Sequence, residues 1–191
     1  MEGAKDELIE LDDAMGDGDL GLTMVKGFTA VAEEIRTLDE TDIGKIMMKL
    51  GLKMNATAPS TMGTLVSTCF LKAAPAAKGK TELTLADMVE MGRGAVAGVM
   101  ERGKSKPGDK TMLDALYPAV EALGAAAAAG DSLTDAWQKA YEAAKDGMEK
   151  TTSMQSVHGR AAYYQEKSVG RQDPGATAMM YIVSGIAKAV R

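Results

Sequence analysis

Leu11-Asp-Asp-Ala-Met-Gly-Asp-Gly-Asp-Leu-Gly-Leu-Thr23 interrupts the helical periodicity of the amino-terminal third and sets how the rest is read. Four carboxylates (Asp12, Asp13, Asp17, Asp19) and three glycines (Gly16, Gly18, Gly21) share this short stretch. Like charges at that density repel unless a cation sits among the oxygens, and glycine lets the backbone fold tightly around one. Hard oxygen ligands without sulfur point to Mg²⁺ or Ca²⁺ rather than Zn²⁺. Mg²⁺ commonly completes its shell from a phosphate. A Mg²⁺–nucleotide site is the first expectation. The plain alternative is a turn: Gly-Asp-Gly-Asp suits turns, aspartates cap helices, and Asp13 reads as a solvated helix residue. An EF-hand is excluded, because the acidic residue that closes such a loop, counted from Asp17, would be Phe28.

Outward from this stretch the chain reads as helix after helix. Residues 2–15 form a first helix with Leu8, Leu11 and Met15 on one face; Asp12 shares that face and can reach the acidic loop. A second covers about 22–38, with Val25, Phe28, Val31, Ala32 and Ile35 at helical spacing. Thr41 or Asp42 caps a third, with Ile43, Ile46, Met47, Leu50 and Met54 inward. Asn55–Gly63 then breaks the pattern at Pro59 and Gly63. Its hydroxyls, Thr57, Ser60 and Thr61, make either a phosphate cradle or a plain N-cap. The next helix, about 64–74, is apolar almost all round, so Cys69 reads as a core residue. Thr84-Leu-Ala-Asp87 opens a fifth helix as a capping box. Arg102–Thr111, with four basic residues, is either a solvated linker or a loop facing phosphates. Helices follow at 111–123 (Pro118 within), 133–150 behind Ser132, and about 175–190, with Trp137 read as core. Between the last two, Thr151–Gly175 lacks clean periodicity, and ordered loops of that length tend to be functional. Arg160 and Arg171 lie there, and a guanidinium suits bidentate phosphate recognition. Eight helices with such loops predict an all-α, closed up-and-down bundle, with the loops at 16–21, 57–63, 103–111 and 159–175 at one end.

Composition narrows the function classes. Of 191 residues, 46% are hydrophobic and 26% charged, enough for one packed domain over 1–191. A net charge of −5 argues against a nucleic-acid surface. No apolar run approaches a membrane span, and the amino terminus lacks signal-peptide features. Cys69 is the only cysteine, so no intrachain disulfide can form and a reducing cytoplasm is expected. His158 is the only histidine, which excludes a histidine-cluster metal site.

Three separated motifs occur in order: Asp12…Gly16-Asp17-Gly-Asp19…Gly21; Lys104…Pro107-Gly-Asp-Lys-Thr-Met-Leu-Asp114; and Gly159-Arg-Ala…Ser168-Val-Gly-Arg-Gln-Asp-Pro-Gly-Ala-Thr177. At these residues, and over nearly its whole length, the chain resembles the nucleotide-binding L subunits of bacterial dihydroxyacetone kinases (DhaL type). The resemblance implies a barrel of eight antiparallel helices with ADP or ATP and two Mg²⁺ at one rim. It implies Asp12, Asp17 and Asp19 as metal ligands, Asp13 matching none. It implies nucleotide contacts at Leu20, Gly21, Leu22, Thr23, Thr61, Met62, Gly103, Met112, Arg160, Asp173, Pro174 and Gly175. The implied activity passes a phosphoryl group to dihydroxyacetone, or a related short ketose such as erythrulose, held on a separate K subunit. The donor is bound ADP recharged by a phosphocarrier M subunit, or free ATP. No general base need lie in this chain, and the resemblance leaves room for a homodimer. A nucleotide-loaded module that docks on a partner without catalysis is the alternative. Two departures stand beside the phosphates: Leu20 where the phosphoenolpyruvate-dependent subunits often have His, and Pro59–Gly63 in place of a glycine-richer loop. The first helix also starts late relative to that family.

Overall fold

A computed structural model describes residues 1–190. Among them are eight α-helices and no strand: α1 (Lys5–Asp13), α2 (Leu20–Thr37), α3 (Ile43–Thr57), α4 (Thr61–Ala73), α5 (Leu85–Gly103), α6 (Leu113–Ala129), α7 (Leu133–Lys150) and α8 (Pro174–Ala189). The all-α, eight-helix expectation therefore holds. No helix among the described residues is long and apolar enough to cross a membrane.

The caps explain most boundaries. Asp42, rather than Thr41, caps α3 by accepting the Lys45 N–H at 3.2 Å. Ser60 caps α4 through the Gly63 N–H at 3.0 Å, so this helix begins earlier than its apolar run suggests. Thr84 and Asp87 form a complete capping box on α5. Ser132 caps α7. α6 outruns its expected end at 123, because alanine propagates a helix well, and stops only where Gly130 takes φ 76°. α1 is shorter than 2–15: residues 2–4 form a 3-10 turn, and beyond Asp13 the chain turns with the Met15 N–H on the Asp12 carbonyl.

The helices fall into two compact units. Residues 1–21 and 105–191 form one, in which α6, α7 and α8 pack together and α1 lies on α8. Its core holds Leu8, Leu113, Leu123, Ala140, Ala144, Met179 and Val183. Residues 22–104 form the other, in which α4 packs between α3 and α5. There the inward face of α2 differs from expectation: Met24, Gly27, Ala30 and Val31 are buried, while Ala32 and Ile35 are exposed. Gly27 lets α2 approach Met54 and Ala58 so closely that a Cβ would collide with the methionine sulfur. The contact line follows small residues, which hydrophobic periodicity ranks low. Cys69 is half-buried in that unit, and burial pushes its thiol up to about 12.

Candidate functional site

The acidic loop leaves α1 at Asp13 and enters α2 at Leu20. Gly16 permits the turn, since a Cβ there would run into the Asp12 carboxylate and carbonyl, and Gly18 adopts φ 70°. Asp12 is half-buried; its Oδ2 accepts the Leu20 N–H at 3.2 Å and so ties the start of α2 to the end of α1. Asp17 and Asp19 are exposed, yet each of the three aspartates places a carboxylate oxygen within 4.8 Å of the others. Burial pushes the Asp12 carboxyl above its ordinary range, and the charges of Asp17 and Asp19 add to this against the Leu20 N–H. A cluster of three carboxylates offering only hard oxygens fits a divalent cation by the chemistry of its donors. Gly21 lies close against α1: a Cβ there would collide with the Lys5 carbonyl and Ile9.

One further loop of the same unit meets this one through Arg160, and the turn before α6 joins that loop through His158. Arg160 opens a 3-10 segment, Arg160–Ser168, and its Nη2 lies 2.7 Å from Asp17 Oδ2. The turn before α6 is built on its own carboxylates. Asp114 accepts the Gly108 N–H at 2.6 Å and the Thr111 N–H at 2.7 Å. Asp109 accepts the Lys106 ammonium at 2.6 Å and the Lys106 N–H at 2.9 Å, and pairs with His158 Nε2 at 3.0 Å. The Lys106 ammonium is the main reason its carboxyl is held down at about 2. Met112 is buried, and its backbone nitrogen would lie 3.4 Å from a Cβ on Gly175, so Gly175 lets the start of α8 close on this turn. Asp173 caps α8 through the Ala176 N–H at 2.7 Å, and Pro174 takes the first helical position. Burial pushes the Asp173 carboxyl up to about 7, with the nearby Asp114 adding to the rise.

Of the residues singled out in the sequence, this unit gathers Asp12, Asp17, Asp19, Leu20 and Arg160 into one group. Met112, Asp173, Pro174 and Gly175 line the junction of the α6 turn with α8. Gly21 follows Leu20 in the same unit, and the remainder belong to residues 22–104. Leu22 is exposed and Thr23 half-buried in the first turns of α2; Thr61 is exposed and Met62 buried at the start of α4; Gly103 ends α5. A cavity of about 360 Å³ between the α6 turn and α7, reached by Pro107, Gly108 and Met154, is lined by none of them. Sequence reasoning quoted Asp109, Lys110 and Asp114 within the second motif but gave no role to these residues, which build the α6 turn. Two aspartates bracketing a lysine beside glycine and proline were the available signal.

Comparison with known proteins follows the same lines. Residues 14–188 match the model of the DAK2 domain. The chain is 38% identical, over 96% of its length and 88% of the relative's, to the ADP-binding subunit DhaL of the PEP-dependent dihydroxyacetone kinase of Escherichia coli. It is 33% identical to a D-erythrulose kinase of Mycolicibacterium smegmatis, spanning all of this chain and 33% of that one. Among solved structures it is similar to the dihydroxyacetone kinase of C. freundii, with a TM-score of 0.73 at 25% identity over 98% of this chain. The same enzyme in complex with AMP-PNP and Mg²⁺ matches with a TM-score of 0.71 at 26% identity. The chain spans about a third of the length of those solved kinase chains.

Proposed function

Because the chain belongs to the DAK2 domain family, we propose that it is the nucleotide-binding, phosphoryl-transferring subunit of a kinase for dihydroxyacetone or another short ketose. The observation that carries this reading is the convergence of the Asp12, Asp17 and Asp19 carboxylates within 4.8 Å, with the Arg160 guanidinium on Asp17. Its support outside the chain is the name of the E. coli relative, an ADP-binding subunit, and the AMP-PNP and Mg²⁺ complex of the C. freundii enzyme.

In this reading Asp12, Asp17 and Asp19 hold two Mg²⁺. Bound magnesium supplies the positive charge that phosphoryl transfer requires on the phosphate oxygens. Backbone N–H groups of Leu20, Gly21, Leu22 and Thr23, at the amino end of α2, face the phosphates. Arg160 neutralises a further phosphate oxygen. Thr61, Met62, Gly103, Met112, Asp173, Pro174 and Gly175 contact the remainder of the nucleotide. Residues 1–191 act as one domain, for which the unbroken family match over 14–188 is the support. The acceptor sugar sits on a K subunit, so this chain needs neither nucleophile nor general base; a phosphocarrier M subunit recharges bound ADP. The site of action is the cytoplasm.

Native mass spectrometry of the purified protein is the test. A retained ADP that leaves on chelation of Mg²⁺, together with turnover when a K-type subunit and dihydroxyacetone are added, is the expected result. A protein that neither retains nor takes up ADP in the presence of Mg²⁺ would end the reading.

A further inference from the structure

Lys110 is 2% exposed and adopts a left-handed backbone, φ 59°, although it is not glycine. Its ammonium donates to three backbone carbonyls: Met154 at 3.1 Å, Ser168 at 2.6 Å and Arg171 at 2.6 Å. Three N–H donors meet three acceptors, so the buried charge is fully hydrogen-bonded. The carbonyls come from both ends of one segment. Met154 precedes the Arg160–Ser168 turn, Ser168 closes it, and Arg171 lies beyond. One cation thereby ties the segment into a loop of the Ω kind.

That loop has little apolar burial to hold it. Tyr163 is 88% exposed, and Val157, Tyr164 and Val169 are exposed as well. Gln165 kinks the turn with φ 50°. Apolar burial therefore contributes little, and polar anchors decide the loop's position. Besides Lys110 these are the Ser156 N–H on Ser168 Oγ at 2.9 Å, the Gly170 N–H on the Thr152 carbonyl at 2.7 Å, and Asp109, whose carbonyl accepts the Val157 N–H at 3.3 Å and whose carboxylate pairs with His158 Nε2 at 3.0 Å. At the loop's start stands Arg160, paired with Asp17.

We propose that Lys110 is the positioning residue for Arg160: its ammonium, held by the carbonyls of Met154, Ser168 and Arg171, sets the loop that delivers the guanidinium to the aspartate cluster. This rests on the nucleotide-binding reading above, and no atom of Lys110 touches the nucleotide in it.

The test is a Mg²⁺·ADP titration on the full chain for wild type, Lys110→Ala, Arg160→Ala and the double variant. Lys110→Ala should weaken binding about tenfold or more, the scale of one lost charge-assisted contact. The double variant should bind no more weakly than Arg160→Ala alone, because both changes remove one contact. Added propylammonium, which restores the missing chain and charge, should recover binding in Lys110→Ala but not in Arg160→Ala; neutral propanol should recover neither. Additive losses, wild-type binding by Lys110→Ala, or no response to propylammonium would each overturn the proposal. Should Lys110→Ala fail to fold, Lys110→Gln takes its place with the same double-variant comparison; failure of both to fold also overturns it, since Lys110 then holds the fold rather than the loop. Hydrogen exchange of residues 152–171 separates this from the functional reading. If wild type binds no ADP, that reading falls, while faster exchange in Lys110→Ala, slowed by propylammonium, still supports the anchor.

Discussion

Arg160 Nη2 lies 2.7 Å from Asp17 Oδ2, joining the first and third sequence motifs through one ion pair. Both side chains are well exposed, at 64% and 43%, so the pair contributes at most about 1 kcal/mol to folding. Its value lies in geometry. Arg160→Ala should leave the melting temperature within a few degrees of wild type and weaken Mg²⁺·ADP binding about tenfold or more. Arg160→Lys should recover only part of that loss, because an ammonium cannot replace the planar two-pronged donor. Calorimetric titration beside a melting curve decides it; equal affinity in all three proteins would remove Arg160 from the site.

Asp17→Asn and Asp19→Asn should each abolish the Mg²⁺-dependent rise in melting temperature that ADP gives wild type, an effect of mass action on the folded state. Without metal, Asp19→Asn should be at least as stable as wild type, because it relieves repulsion that adds to the effect of burial on Asp12, whereas Asp17→Asn sets the same relief against the lost charge on the Arg160 pair. Circular dichroism should show unchanged helix content. Variants that still respond to ADP and Mg²⁺ as wild type does would count against the ligand assignment.

Asp109 makes the acid branch of the stability curve predictable. The Lys106 ammonium holds its carboxyl at about 2, below the ordinary 3.8. A depressed folded value means stabilisation that is present above 3.8 and is lost as pH falls toward 2. Wild type should therefore lose stability over that window more steeply than Asp109→Asn. Urea midpoints at a series of acid pH values measure the difference. Parallel curves for the two proteins would show that the Lys106–Asp109 contact carries no linkage.

Two glycine replacements should move stability in opposite directions. In Gly147→Ala the new Cβ meets the Asp114 carbonyl and lies 2.9 Å from Pro118 Cγ, where α7 crosses α6. Overpacking against backbone costs about 1–3 kcal/mol, more than the roughly 1 kcal/mol gained in helix propensity. In Gly185→Ala nothing lies within 4 Å of the new atom, so α8 should gain about 0.5–1 kcal/mol. Thermal melts of both read the sign directly, and a stabilised Gly147→Ala would mean that α6 and α7 can separate at no cost.

The helix count, most caps and the acidic cluster were legible because each rests on neighbours in sequence: hydrophobic spacing, a hydroxyl or carboxylate three residues before an N–H, charge crowded among glycines. Ser60 was readable as a cap for that reason, and Arg160 as a guanidinium in a long aperiodic loop. The face of α2 was misread because Gly27, the least hydrophobic residue on it, decides the contact with Met54 and Ala58. Lys110, quoted in the second motif, was given no role because its three partners lie far along the chain, and a lysine in a polar turn reads as solvated.

By itself, the sequence determined that the chain is a helical protein with a cluster of carboxylates between its first two helices, since local spacing and like-charge crowding act over a few residues. Only the tertiary structure decided which distant groups answer that cluster. It buries one lysine among three carbonyls, sets Gly175 against Met112, and brings Arg160 to Asp17. Hydrogen bonds and ion pairs act over a few ångströms, and the path of the backbone alone chooses which residues come within that reach.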